Sequence, residues 1–260
     1  MQKVLFIGGF GSGKNTLINA LLRKEVLSTS PMFCPEDNYI TQIVSSKQEE
    51  CWYVNYKNGD KEQLDFPKLH SMYSDPEACD NSFLESIKSL IFETPAQTDD
   101  LCFIVANQYD DCVESIRSLC CTSSAIVYLA NSTMPFTDED KRFIDVFLSN
   151  CNSGNVFFCF NKISLIDVES IQLLKDVVKK NLASSFTSDG VFDKKLYCNR
   201  VFFIDAYPSM CTRLGKLTRT PYGEISIADI HTDVPEFEYT LRKFLQQRSF
   251  EKQRAMEQRK

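Results

Sequence analysis

The run Gly8-Gly9-Phe10-Gly11-Ser12-Gly13-Lys14-Asn15-Thr16 has the residue types and spacing of a loop that wraps phosphate. Glycines let successive backbone N–H groups turn toward anionic oxygens, and a helix starting behind them adds the positive end of its dipole. Lys14 contributes a compact positive charge for the terminal phosphates. The strict pattern continues with Ser or Thr, whose hydroxyl ligates Mg²⁺; here Asn15 holds that place and Thr16 follows it. The plainer reading is a glycine turn joining strand to helix, with a solvated lysine. The flanking elements weigh against it.

Such a loop needs a buried strand before it and an amphipathic helix after it. Residues 3–7 (KVLFI) are a continuous apolar run, as in a strand covered on both faces. Residues 15–25 (NTLINALLRKE) predict a helix with Leu17, Leu21 and Leu22 on one face. Residues 26–35 read as a loop, and 39–44 and 51–56 as strands. Asn58-Gly59 marks a tight hairpin turn, because both central positions need positive φ. The polar stretch 61–81 predicts a short helix. Further strands are expected at 87–92, 101–105, 125–129, 156–160 and 201–204. Thr137-Asp138-Glu139-Asp140 opens a helix with a capping-type start and with Phe143, Val146 and Phe147 inward. Another helix spans 165–182, with Leu173, Leu174, Val177 and Val178 on one side. The last begins near Pro235, with Phe237, Leu241, Phe244 and Leu245 as its apolar face. Strands alternating with helices predict an α/β fold: a doubly wound, mostly parallel sheet flanked by helices. Neither repeat nor linker divides residues 1–260, so one domain is expected.

Charge is uneven along the 260 residues. From Arg242 to Lys260, seven Lys/Arg face only Glu251 and Glu257, a local +5 that leaves the remaining chain at −11. That acidic body argues against a nucleic-acid surface. Residues 246–260 read as a basic helical tail. Contact of this tail with anionic lipid or a protein is one use for it; a solvated helix end, favoured by the helix dipole, is the simpler one. The 11 cysteines lack zinc-site spacing, and an odd count without a secretory signal points to a reducing, cytoplasmic setting. No apolar stretch reaches the ~20 residues that span a bilayer. His70 and His231 have no ligand partner at useful spacing.

GGFGSGKNTLINALL resembles the opening of bacterial dynamin-like GTPases. Era-type GTPases share the phrase, but their Asp-x-x-Gly segment follows the lysine at roughly half the distance seen here. The insertion between residues 26 and 100, MPFTDEDKRFI and PEFEYTLRKFL extend the resemblance from Val4 to about Phe250. It implies a P-loop NTPase fold of the dynamin type, with a neck beginning near residue 246. It also implies a guanine nucleotide, GTP or GDP, bound by Gly8, Gly11, Ser12, Gly13, Lys14, Asn15, Thr16, Asn161, Lys162 and Ser164. A protein partner or a second copy across the nucleotide face follows from the same likeness.

Several positions depart from the family pattern. Gly11 stands where the family has a serine near the attacking water, and Asn15 replaces the magnesium hydroxyl. Pro35-Glu36-Asp37 aligns with the first switch and lacks its threonine. Ala106-Asn107-Gln108-Tyr109 aligns with Asp-x-x-Gly and loses both defining residues. In Asn161-Lys162-Ile163-Ser164 the base-reading aspartate is Ser164. Asn15 and Asp37 are the metal candidates that remain, and Glu36, Asp110 and Asp111 read most simply as solvated acids. Mg²⁺ binding should therefore be weak, hydrolysis slow or lost and guanine selectivity reduced, with no residue left as an assured catalyst. The competing readings are a pseudo-GTPase interaction module and, further off, a small-molecule kinase.

Overall fold

In the computed structural model, the apolar run that opens the chain becomes an interior strand of a nine-stranded sheet. The structure describes residues 1–29, 39–47, 49–65, 81–95, 101–107, 113–138, 140–142, 144–145, 153–216, 219–220, 223–224 and 233–258. In chain order the strands are β1 Gln2–Gly8, β2 Ile40–Ser45, β3 Cys51–Tyr56, β4 Lys61–Leu64, β5 Ile87–Thr94, β6 Leu101–Asn107, β7 Ala125–Asn131 and β8 Val156–Asn161. A small hairpin of β9 Thr187–Ser188 and β10 Val191–Phe192 precedes β11 Val201–Ile204. The helices are α1 Lys14–Leu22, α2 Asn81–Ser86, α3 Val113–Thr122, α4 Val168–Leu182, α5 Lys194–Cys198, α6 Ala206–Arg213 and α7 Val234–Glu257.

The sheet order is β11-β8-β7-β1-β6-β2-β5-β3-β4. From β11 to β6 every pairing is parallel, and β2 then runs antiparallel to β6 and parallel to β5. The insertion between residues 26 and 100 thus extends the sheet at one side, closed by the antiparallel β3–β4 hairpin. Of the two turn positions expected at positive φ, Gly59 has it (99°) and Asn58 does not: the loop runs over residues 57–60, and the Asn58 Oδ1 accepts the Asp60 N–H at 3.0 Å. A mostly parallel, doubly wound sheet is what the alternation of elements predicts.

Strand β1 is buried on both faces because helices cover both. Leu5 and Ile7 belong to one buried cluster with Ile116 and Cys120 of α3 and Leu174, Val178 and Leu182 of α4. Val4 and Phe6 meet Leu17, Ile18 and Leu21 of α1 and Phe237, Leu241 and Leu245 of α7. Arg200 fastens α7 from the side, its guanidinium lying 4.5 Å from the Phe157 ring and 4.6 Å from that of Phe244. Burial lowers the Arg200 pKa to about 10.

Some local expectations differ from the structure. Lys61–Leu64, within the stretch expected to hold a short helix, is β4; its first three residues are exposed, as suits an edge strand. The rest of that stretch from 66 to 80 lies outside the described residues. Helix α4 starts at Val168, after a separate 3₁₀ turn at Ile163–Leu165. Leu174 and Val178 point into the core, whereas Leu173 and Val177 are exposed on a groove of about 380 Å³ shared with Ser132 and Leu165. The capping expected at Thr137 is present. Asp140 Oδ2 accepts the Thr137 N–H at 2.9 Å, and Thr137 Oγ1 accepts the Asp140 N–H at 3.1 Å. Phe143, Val146 and Phe147 lie outside the described residues, as do His70 and His231. Helix α7 carries the expected apolar face and runs on through the polar, basic segment to Glu257.

Candidate functional site

The glycine loop crosses the C-terminal edge of the sheet between β1 and α1. It has little freedom there. A side chain at Gly8 would place Cβ 2.1 Å from the Leu129 carbonyl oxygen of β7. At Gly13 (φ 94°) Cβ would lie 2.2 Å from the Asn161 Nδ2. Both positions therefore require glycine for close approach, and Gly13 also for its left-handed backbone. Gly11 (φ 68°) has open space around it.

Lys14 is almost fully buried, with Nζ donating to the Gly8 carbonyl at 2.8 Å and the Gly9 carbonyl at 3.0 Å. Its charge is thereby held directly under the loop. Ser12 Oγ is buried and has no hydrogen-bond partner among the described residues. An orphaned hydroxyl beside a lysine, under a loop with two left-handed glycines, suits an anion with several acceptor oxygens. Thr16 is half-buried in the first turn of α1.

Asn15 does not stand free at the helix start. Its Nδ2 donates to the Ser28 carbonyl at 3.0 Å, tying α1 to the segment that follows it. Asn19 strengthens the same connection: its Nδ2 donates to the Leu27 carbonyl at 2.7 Å, while its Oδ1 accepts the Val26 and Leu27 N–H groups at 3.0 Å each. Asp37, with Pro35 and Glu36, lies outside the described residues, as do Gln108 to Asp111. Ala106 is described; it pairs with Ile7 near the end of β6 and is buried in apolar core.

Asn161 joins the two halves of the site. Its Nδ2 donates to the Ser12 carbonyl at 2.8 Å, and its Oδ1 accepts the Ala206 N–H at 2.9 Å. One buried amide thus connects the phosphate loop, the end of β8 and the start of α6. Lys162 follows with a left-handed backbone (φ 67°), which turns the chain into the 3₁₀ turn holding Ser164. The structure therefore brings residues 8–16 and 161–164 together at one sheet edge.

The family model for the dynamin family matches residues 4–162. The chain belongs to the dynamin family. Mitofusin-2 of Mus musculus is 23% identical over 237 residues, covering 88% of this chain and 31% of that protein. The transmembrane GTPase Marf of Drosophila melanogaster is 23% identical over 246 residues, covering 88% of this chain and 29% of its own length. A chain from the structure of an oligomerised bacterial dynamin pair superposes with a TM-score of 0.63 at 15% identity, covering 99% of this chain and 42% of that one. The chain thus spans about a third of the length of the curated relatives it matches.

In this dynamin-family domain one site residue escapes a reading by motif. Asp205, directly after β11, is buried, and its Oδ2 accepts the Ser164 N–H at 3.1 Å. Burial pushes its carboxyl above the ordinary 3.8; hydrogen bonds from Ser164 and the charge of Lys162 oppose that in part. The available sequence signal was an acid ending an apolar strand, in FFIDAYP.

Proposed function

We propose that this domain binds GTP or GDP, with the phosphates on residues 8–16 and the base against residues 161–164, and hydrolyses GTP slowly or not at all. The observation that carries this reading is the Lys14 ammonium buried beneath the Gly8 and Gly9 carbonyls, in a loop whose Ser12 hydroxyl is buried with no hydrogen-bond partner among the described residues. That arrangement is a positively charged cradle, and Asn161 fixes its distance from the base-binding turn. Slow hydrolysis follows from what surrounds it. Phosphoryl transfer rests on positioning and charge neutralisation, to which Mg²⁺ contributes when bound. Asn15 offers an amide in place of a hydroxyl, and Ala106 offers no side-chain oxygen. Metal coordination by these residues is correspondingly poor.

A second reading is an interaction module that keeps the fold without turnover. The bond from Asn15 to Ser28 favours it, since the helix-start side chain is engaged with the protein itself. A kinase lid finds no support in Arg213, which donates to the Ala20 carbonyl at 2.9 Å and pairs with Glu238 at 2.7 Å. By likeness to the oligomerised bacterial dynamin pair, the expected partner is a second copy or another protein across the nucleotide face. A cytoplasmic, reducing setting belongs to the same reading and suits the buried Cys102 thiol, whose pKa burial raises to about 11. Membrane contact through the basic end of α7 is a further part of the proposal, and no helix among the described residues is long and apolar enough to cross a membrane.

Calorimetric titration with GTP, GDP and ATP, with and without Mg²⁺, tests the reading. The wild-type chain binds GTP and GDP, and Lys14→Ala loses binding. Equal affinities for the two proteins would overturn it.

A further inference from the structure

We propose that Asp205 supplies the carboxylate that reads the base, a role that Ser164 leaves vacant. The inference rests on the nucleotide-binding function proposed above and names a specificity-determining residue for it. Three independent observations converge on this side chain.

The first is topological. Strand β11 pairs parallel with β8, and Ile204 lies in register with Asn161. The next residue of each strand therefore leaves the sheet at the same edge, which puts Asp205 alongside the Lys162–Ser164 turn. The Ala206 N–H to Asn161 Oδ1 bond, 2.9 Å long, fixes that juxtaposition.

The second is the use to which the carboxylate is put. Asp205 holds the N-cap position of α6, where an aspartate side chain ordinarily accepts a backbone N–H from the first turn. Here it makes no cap hydrogen bond. It turns instead to Ser164, whose backbone N–H it accepts. A carboxylate offers about four acceptor positions, so Ser164 leaves capacity for a second pair of donors.

The third is charge. A buried acid without a cation in contact is costly, and Lys162 is the neighbour whose charge favours ionised Asp205. Ser164 is exposed while Asp205 lies just beneath it.

The ligand chemistry follows. Guanine presents two adjacent donors, N1–H and the N2 amino group, which a carboxylate accepts as a pair. Adenine presents a donor beside an acceptor and leaves a carboxylate oxygen facing a lone pair. The site therefore selects guanine through Asp205, and the expectation of weak guanine selectivity, drawn from Ser164 alone, gives way to a firm preference.

The experiment titrates the full chain, wild type and Asp205→Asn, with GTP, XTP and ATP by calorimetry. Xanthine carries a carbonyl where guanine has its amino group, and an asparagine amide donates to that carbonyl. Asparagine also keeps an oxygen for the Ser164 N–H, so the fold is retained. The expected result is a swing in the GTP:XTP affinity ratio toward XTP of about 100-fold, as for one or two charge-assisted bonds exchanged. Ser164→Asp, tested beside it, should weaken GTP binding, because two carboxylates then share one pocket. A GTP:XTP ratio unchanged in Asp205→Asn, or tighter GTP binding by Ser164→Asp, overturns the assignment and leaves nucleotide binding intact. Failure of the wild-type chain to bind any of the three nucleotides overturns both proposals.

Discussion

The Asn161 side-chain amide donates to the Ser12 carbonyl at 2.8 Å across 149 residues of sequence, so one hydrogen bond ties the glycine loop to the end of β8 and the turn that follows it. The same side chain accepts from Ala206, which leaves it with both ends bonded in a buried place. Asn161→Ala breaks both bonds at once and strands the Ala206 N–H. The expected loss is about 2 kcal/mol in denaturant unfolding of the empty protein. GTP affinity should fall as well, because loop and turn lose their common anchor. Unchanged unfolding midpoints would show that the bridge contributes nothing.

A second prediction concerns the junction of α1, α6 and α7. Glu238 is nearly buried and pairs with Arg213 at 2.7 Å and with Arg242 at 2.9 Å. Removing it leaves the Arg213 guanidinium without a counter-charge, so Glu238→Ala should cost about 3 kcal/mol. Arg242 is more than a third exposed, and Arg242→Ala should cost under about 1 kcal/mol. Equal effects of the two substitutions in urea denaturation would contradict this ranking.

Metal dependence is the third test. With Asn15 engaged by Ser28 and Ala106 buried in apolar core, Mg²⁺ should tighten GTP binding only slightly. Asn15→Ser should recover part of the metal dependence. Steady-state phosphate release by the unmodified chain should stay near background, since aids such as an arginine finger are each worth ~10³–10⁵ in rate and several positions are replaced. Robust turnover that Lys14→Ala abolishes would contradict this account.

The fourth prediction uses Asp205. Its folded carboxyl titrates above the ordinary 3.8 because it is buried. Between those two values the native chain holds more protons than the unfolded one, so stability falls as pH rises through that window. The penalty is fully present above the folded value and absent below 3.8. Asp205→Asn removes it and should melt higher than wild type at pH 7, with the gain vanishing near pH 3.8. A difference independent of pH would show that this carboxyl is not the cause. A side chain that costs stability in the empty site is consistent with selection for binding rather than for folding.

Much of this was legible in residues whose patterns are local. Val4 to Ile7 announced a strand buried on both faces, and Thr137 with Asp140 announced a helix start, because two residues close in sequence settle each matter. Gly13 was legible as a loop glycine, but the reason it must be glycine, the Asn161 amide 2.2 Å from any Cβ, comes from a residue far away in the chain. Leu173 looked inward by helical spacing, yet the start of α4 after a 3₁₀ turn sets it on the exposed groove. Ile116 and Cys120 bury one face of α3, but the polar remainder of that short helix hid its period. Asp205 was not legible, since its meaning depends on which strand β11 lies beside.

The contact between Gln2 and the Leu245 carbonyl, 2.8 Å long and 243 residues apart, sets an order of events for the newborn protein. Strand β1 is synthesised well before α7, the helix that closes over Val4 and Phe6. Helix α1 follows β1 at once, but at ~5–20 residues per second the part of that face covered by α7 waits on the order of ten seconds or more. The face of β1 toward α7 depends on being shielded from other chains until α7 has been made.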